Sequence, residues 1–226
     1  MKTEIKLAIF DLAGTTISDR DYVAIAFIDA FIQYGIDLSV EEITPLMGYR
    51  KTEAIQLVLK VKGIESTDKM IEDIHRHFVN KMVRFYTNSI EVEELAGARH
   101  IFSWLKNKGV FIGVNSGFPR VIVETIVDRM DWMNDGLVDA FVASDEVESG
   151  RPHPFMINLL MQKAGITNPA QVMKVGDTMV DIQEGKNASV GLVIGVTTGA
   201  YSRVALEEWN PDYIIDSLYE IEQILS

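Results

Sequence analysis

The sequence predicts an α/β protein, a parallel sheet covered by helices with a helical domain inserted after the first strand. Three observations carry that expectation. Short runs rich in valine and isoleucine alternate with stretches of helical periodicity, the pattern of strands buried on both faces between helices. The first two runs lie about a hundred residues apart, far more than a single crossover helix needs. Polar, glycine-containing motifs follow four of the runs, at the place where open parallel sheets bind ligands.

In chain order, the strands are predicted at residues 7–10, 110–114, 140–143, 172–175, 190–196 and 213–215. Between the first two, residues 21–35, 51–63 and 67–86 repeat apolar side chains at helical spacing, for example Ile71, Ile74 and Phe78. The insert is therefore expected at 18–88, and the core domain at 1–17 and 89–226. Gly97 and Gly109 bracket a further helix at 98–108 that leads into the second strand.

Composition narrows the function classes. The 226 residues are 47% hydrophobic and 24% charged, ordinary for a folded domain. A net charge of -12 without a basic patch argues against nucleic acid and anionic membranes as partners. No apolar stretch reaches the length of about 18 residues that a membrane span needs. The first ten residues lack the apolar core of a secretory signal, so a cytoplasmic location is expected. Zero cysteines exclude disulfides, thiolate metal sites and a cysteine nucleophile.

The four strand-end motifs are Asp11-Leu12-Ala13-Gly14-Thr15-Thr16, Asn115-Ser116-Gly117, Gly150-Arg151-Pro152 and Gly176-Asp177-Thr178 with Asp181 following. They combine carboxylates, a hydroxyl, a guanidinium and glycines that let backbone N–H groups approach a ligand. Such a set suits phosphoryl chemistry. A carboxylate attacking a phosphoryl group meets like-charge repulsion that a divalent cation removes, and oxygen ligands suit magnesium. Asp11 is the candidate nucleophile. Asp11, the Ala13 carbonyl and Asp177 are the candidate Mg2+ ligands, with Asp181 behind them holding a metal-bound water. Ser116, the Gly117 N–H and Arg151 are expected to bind phosphoryl oxygens, the arginine as a fork. His75, His77, His153, Trp104, Trp132 and Trp209 read as packing, surface or loop residues.

This order of motifs resembles the haloacid dehalogenase superfamily over nearly the whole chain. The resemblance implies a Rossmann-like core with a C1-type helical cap, an aspartate nucleophile and magnesium. The superfamily's first motif is usually Asp-x-Asp, whose second aspartate is the general acid and base, but here that position is Ala13. Losing such a group typically costs ~10²- to 10⁴-fold in rate. The motif Asp-x-Ala-Gly-Thr-Thr is similar to that of the phosphonoacetaldehyde hydrolase branch, as are Gly150-Arg151-Pro152 with Pro154 and the run from Val175 to Asp181. Met47-Gly48-Tyr49-Arg50-Lys51 resembles the branch's Met-Gly-x-x-Lys element, which carries a Schiff-base lysine.

The resemblance implies that Lys51 condenses with a substrate carbonyl, so that carbon–phosphorus cleavage delivers electrons to an iminium and needs no acid at position 13. Leu12, Ala13, Thr15 and Met47 are then expected around the substrate beside Ser116, Gly117 and Arg151. Two positions depart from the branch: Ala54 stands where it has a proton-transferring histidine, and Leu12 where it has tryptophan. The expected ligand is a small phosphonate, a 2-oxoalkyl phosphonate such as phosphonoacetaldehyde. A phosphatase acting on a small phosphate monoester and a protein that only binds phosphorylated metabolites are the alternatives. Caps of this kind often pair, which makes a homodimer an expectation as well.

Overall fold

The computed structural model describes residues 4–226. Six parallel strands form the sheet: β1 Leu7–Phe10, β2 Phe111–Ser116, β3 Ala140–Ala143, β4 Val172–Gly176, β5 Leu192–Val196 and β6 Tyr213–Ile215. Their spatial order is β3-β2-β1-β4-β5-β6. The chain starts in the middle, runs outward to one edge and returns to build the other. Such a reversal leaves a crevice beside the first strand. Register aligns the strand ends there, because Phe10 pairs with both Val114 and Val175. Asp11, Asn115 and Gly176 consequently lie at one level of the sheet.

The helices after the insert are α5 Ala98–Asn107, α6 Arg120–Met130, α7 Phe155–Ala164, α8 Met179–Asn187, α9 Arg203–Glu207 and α10 Ile221–Leu225. Successive strand side chains face opposite ways, and β1 divides accordingly. Ala8 and Phe10 join the large apolar cluster under α5, α6 and the insert, whereas Leu7 and Ile9 pack with Ile157 and Leu160 of α7. Three strands differ from the sequence expectation, β4 only by running one residue further, to Gly176. β5 begins at Leu192 because the N–H groups of Val190 and Gly191 are used by the carbonyls of Gly185 and Pro169. β2 runs on to Ser116, which pairs with Ala143.

Between β1 and α5 lie α1 Tyr22–Ile32, α2 Val40–Ile43, α3 Lys51–Val61 and α4 Asp68–Asn88. The short α2 has no counterpart in the periodicity, since four residues are too few to show one. Its signal is the reciprocal cap of Ser39 and Glu42, at 2.9 and 3.3 Å. α4 buries Ile71, Ile74, Phe78, Met82 and Tyr86 along one stripe, packing on α1 and α3 and also on α6 beside the sheet. The two chain segments that join the insert to the sheet run side by side. Ser18 N–H donates to Glu93 O (3.1 Å) and Leu95 N–H to Thr16 O (2.9 Å).

Candidate active site

Asp11 sits where β1 ends and a tight loop begins. Its N–H is still held by Val175 O of β4 (3.0 Å), while Thr16 Oγ1 donates back to its carbonyl (2.9 Å). The loop closes on one acceptor, Leu12 O, which receives the N–H groups of Thr15, Thr16 and Ile17. Gly14 takes φ 86°, and a Cβ there would stand 2.6 Å from Asp177 Oδ2. Only glycine lets the loop pass so close to that carboxylate. Asp177 is fixed from two sides, with Thr15 Oγ1 donating to Oδ1 (3.2 Å) and Ala200 N–H to Oδ2 (2.8 Å).

Arg151 organises the carboxylates. Fully buried, it donates from Nη1 to Asp11 Oδ1 (2.6 Å) and contacts Asp181 Oδ1 from the same nitrogen (2.9 Å). Its Nε donates to Glu184 Oε2 (3.0 Å) and its Nη2 to the Asn115 carbonyl (2.8 Å) and Oδ1 (2.6 Å). Lys174, also fully buried, joins the network at Asn115 Oδ1 (2.7 Å) and Asp181 Oδ1 (2.9 Å). Burial raises Asp11 to about 6 against the pull of Arg151. Asp177 has no such cation, and burial followed by the charges of Asp11 and Asp181 lifts it well above the usual carboxylate range. For Asp181, burial is overcome by Arg151 and Lys174, which hold it low.

Above these groups lies a pocket walled by Asp11, Ala13, Met47, Lys51, Gly117 and Asp177, with Asp19, Ser116, Phe118 and Thr178 completing it. Its free space is about 30 Å³, room for one or two water molecules. Lys51 is the first residue of α3 and only 2% exposed. Its Nζ donates to Tyr49 O at 3.3 Å and lies 5.9, 5.9 and 5.6 Å from the ring centres of Phe27, Phe78 and Phe118. Burial lowers it to about 8, opposed by the charges of Asp11 and Asp19. The loop before α3 rests on the loop after β2, where a Cβ on Gly117 would overlap the carbonyls of Gly48 and Tyr49. Arg50 ties the same region to the carbonyls of Glu148 (2.9 Å) and Val147 (3.3 Å), and Glu53 accepts the Gly150 N–H (3.2 Å).

A hard divalent cation suits this donor set. Asp11 and Asp177 are buried carboxylates on one pocket, and the donors on Asp177, a hydroxyl and an amide, are both neutral. Among the described residues no three His, Cys, Asp or Glu side chains are grouped to cage a metal. Two carboxylates plus a backbone carbonyl is the sparse arrangement of a magnesium ion that keeps several waters.

Several residues sit differently from the sequence expectation. Four hydrogen bonds to protein acceptors and an ion pair with Asp181 occupy Arg151, so its fork grips Asp11, Asp181, Glu184 and Asn115 where a phosphoryl group is expected from the sequence. Asp181 likewise turns to protein groups instead of a water, its Oδ1 ion-paired with the two cations at 2.9 Å and its Oδ2 accepting from Thr178 Oγ1 (2.5 Å). The Leu12 side chain is buried in the apolar core and Thr15 is spent on Asp177, so neither forms pocket wall. Asp19, Lys174 and Glu184 were not singled out in the sequence. A lysine amid the apolar run Val172-Met173-Lys174-Val175 is the overlooked signal, since a buried charge requires partners.

The chain belongs to the haloacid dehalogenase-like hydrolases, whose family model matches residues 8–195. It is 31% identical over 210 residues to phosphonoacetaldehyde hydrolase from Latilactobacillus sakei, covering 86% of this chain and 76% of that one. Among solved structures it is similar in fold to a phosphonoacetaldehyde hydrolase-like protein from Oleispira antarctica (TM-score 0.84, 22% identity, covering 99% and 92% of the two chains). It is similar also to a predicted phosphoglycolate phosphatase from Haemophilus somnus (TM-score 0.79, 23% identity, 99% of both chains).

Proposed function

We propose that the chain is a magnesium-dependent hydrolase that cleaves the carbon–phosphorus bond of a 2-oxoalkyl phosphonate such as phosphonoacetaldehyde. The observation that carries this reading is the buried Lys51 amine, lowered to about 8 and sharing a pocket with Asp11. A solvated lysine at neutral pH is almost wholly ammonium and cannot add to a carbonyl. Here a useful fraction is free amine.

Lys51 condenses with the substrate carbonyl, water leaves, and an iminium forms. Asp11 then attacks phosphorus through a carboxylate oxygen, the P–C bond breaks, and its electron pair moves into the former iminium as an enamine. Arg151 holds Asp11 in position through Oδ1, and the Gly117 N–H and Ser116, which line the same pocket, would meet phosphoryl oxygens. Water hydrolyses the aspartyl-phosphate to phosphate, and protonation and hydrolysis of the enamine release the aldehyde and restore Lys51. Magnesium, held by Asp11, Asp177 and the Ala13 carbonyl, would neutralise the phosphonate's charge and orient it. Because the pocket has room only for water, the insert acts as a lid over 18–88 that opens to admit substrate.

Incubation with phosphonoacetaldehyde followed by borohydride is expected to label the peptide bearing Lys51, and Lys51→Arg to abolish both labelling and turnover. Simple phosphomonoesters should turn over at least ~10²-fold more slowly, because Ala13 cannot protonate an alkoxide. An unlabelled Lys51, or phosphomonoesters as the better substrates, would reject the reading.

A further inference from the structure

Forming the iminium moves two protons from nitrogen to oxygen: the ammonium carries three, the iminium keeps one, and the carbonyl oxygen departs as water. Some group on the pocket has to carry them. Asp11 is committed to phosphorus and bonded to Arg151, and both oxygens of Asp177 are held. The Thr178 hydroxyl donates to Asp181, Ser116 is assigned to the phosphoryl oxygens, and Ala13 offers only a methyl group. Asp19 remains.

Asp19 follows the Asp11 loop, just before α1. Its Oδ1 accepts the Val23 N–H at 3.0 Å, which fixes the side chain, and among the described residues no other group hydrogen-bonds its carboxyl. It lines the reaction pocket together with Lys51 and also lines the adjoining outer cleft with Arg20, Asp21 and Thr198. A half-buried carboxyl shared by two adjoining cavities can exchange protons with solvent while lining the pocket that holds the amine. The groups acting on it are Asp21 on its own segment, Lys51 of α3 and Asp11 of β1, and the buried Tyr86 hydroxyl of α4 in turn feels its charge.

We propose that Asp19 is the proton carrier of the Lys51 chemistry, taking a proton from the ammonium and delivering it to the carbinolamine oxygen. The proposal rests on the Schiff-base reading of Lys51. The carboxylate first accepts one ammonium proton, and the freed lone pair forms the C–N bond to the carbonyl carbon. A nitrogen proton then passes to the alkoxide to give the neutral carbinolamine. Asp19 finally protonates the hydroxyl, the C–O bond breaks with loss of water, and the nitrogen lone pair closes the C=N bond. Burial raises Asp19 to about 7, close to the value of about 8 for Lys51, so transfer in either direction is nearly balanced near neutrality.

The test is the initial rate of cyanoborohydride trapping of phosphonoacetaldehyde on Lys51, followed by mass spectrometry across the neutral pH range. Asp19→Asn keeps the acceptor for Val23 N–H and removes proton transfer. Its trapping rate is expected to fall at least ~10²-fold, with loss of the pH dependence centred near neutrality. Asp19→Glu should retain most of the rate with that dependence shifted, and added formate should accelerate Asp19→Ala. Wild-type trapping rates in Asp19→Asn, or a slow variant whose pH profile and response to formate are unchanged, would overturn the assignment while leaving the Schiff base standing. A wild-type protein that never labels at Lys51 removes both.

Discussion

Lys51 is almost wholly buried and lowered to about 8, whereas in the unfolded chain it titrates at the ordinary lysine value of 10.5. Between those values the unfolded chain holds a proton that the folded chain has released, so stability rises with pH across that window. Below about 8 the folded protein bears the full cost of a confined ammonium. Lys51→Met, of similar length and without charge, should therefore stabilise the fold at neutral pH by roughly 1–3 kcal/mol while ending turnover. Urea denaturation at several pH values should show the gain shrinking as pH climbs through the window. Arg151 behaves oppositely. It is fully buried and compensates three carboxylates, so Arg151→Met should cost about 3–5 kcal/mol by the same measurement.

At the scale of elements, the first turn of α3 and the loop after β2 form one contact, and Gly117 is its weak point. The room there is set by backbone carbonyls of Gly48 and Tyr49, which cannot turn aside as a side chain can. Gly117→Ala should therefore leave the sheet and its thermal transition nearly intact yet displace Lys51 from Asp11, with kcat/KM falling about 10²-fold. Beryllofluoride labelling of Asp11 should persist in that variant. The elements themselves are legible because the strands are short apolar runs, the inner ones buried on both faces, and each long helix carries a stripe, as α4 does with Ile71, Ile74 and Phe78. α2 is not, since a four-residue helix is specified by a cap and not by period.

Across the whole molecule, the sequence made the motif residues legible because register alone brings the ends of β1, β2 and β4 to one level. What it hid was the partnership among them. Asp19 is a plain acidic residue in a polar stretch, and its position between two cavities depends on the tertiary path of the chain into α1, where the Val23 N–H holds it. The allegiance of Arg151 was hidden for a similar reason, because Glu184 and Lys174 come from elements that motif order does not relate to it. The paired linkers at 16–18 and 93–95 join the insert to the sheet through two adjacent backbone segments, the waist about which the lid proposed above would pivot.

The three rings around the Lys51 amine have separate origins. Phe27 and Phe78 travel with the insert, and Phe118 stays with the sheet. On the reading proposed above, swinging the lid away separates them, water reaches the nitrogen, and the group reverts to an ordinary ammonium. A stray aldehyde that drifts into the open molecule then finds nothing to react with. Only a compound whose phosphoryl end keeps the two halves together is offered a nucleophile, so discrimination among carbonyl compounds is exercised by basicity before any side chain inspects their shape.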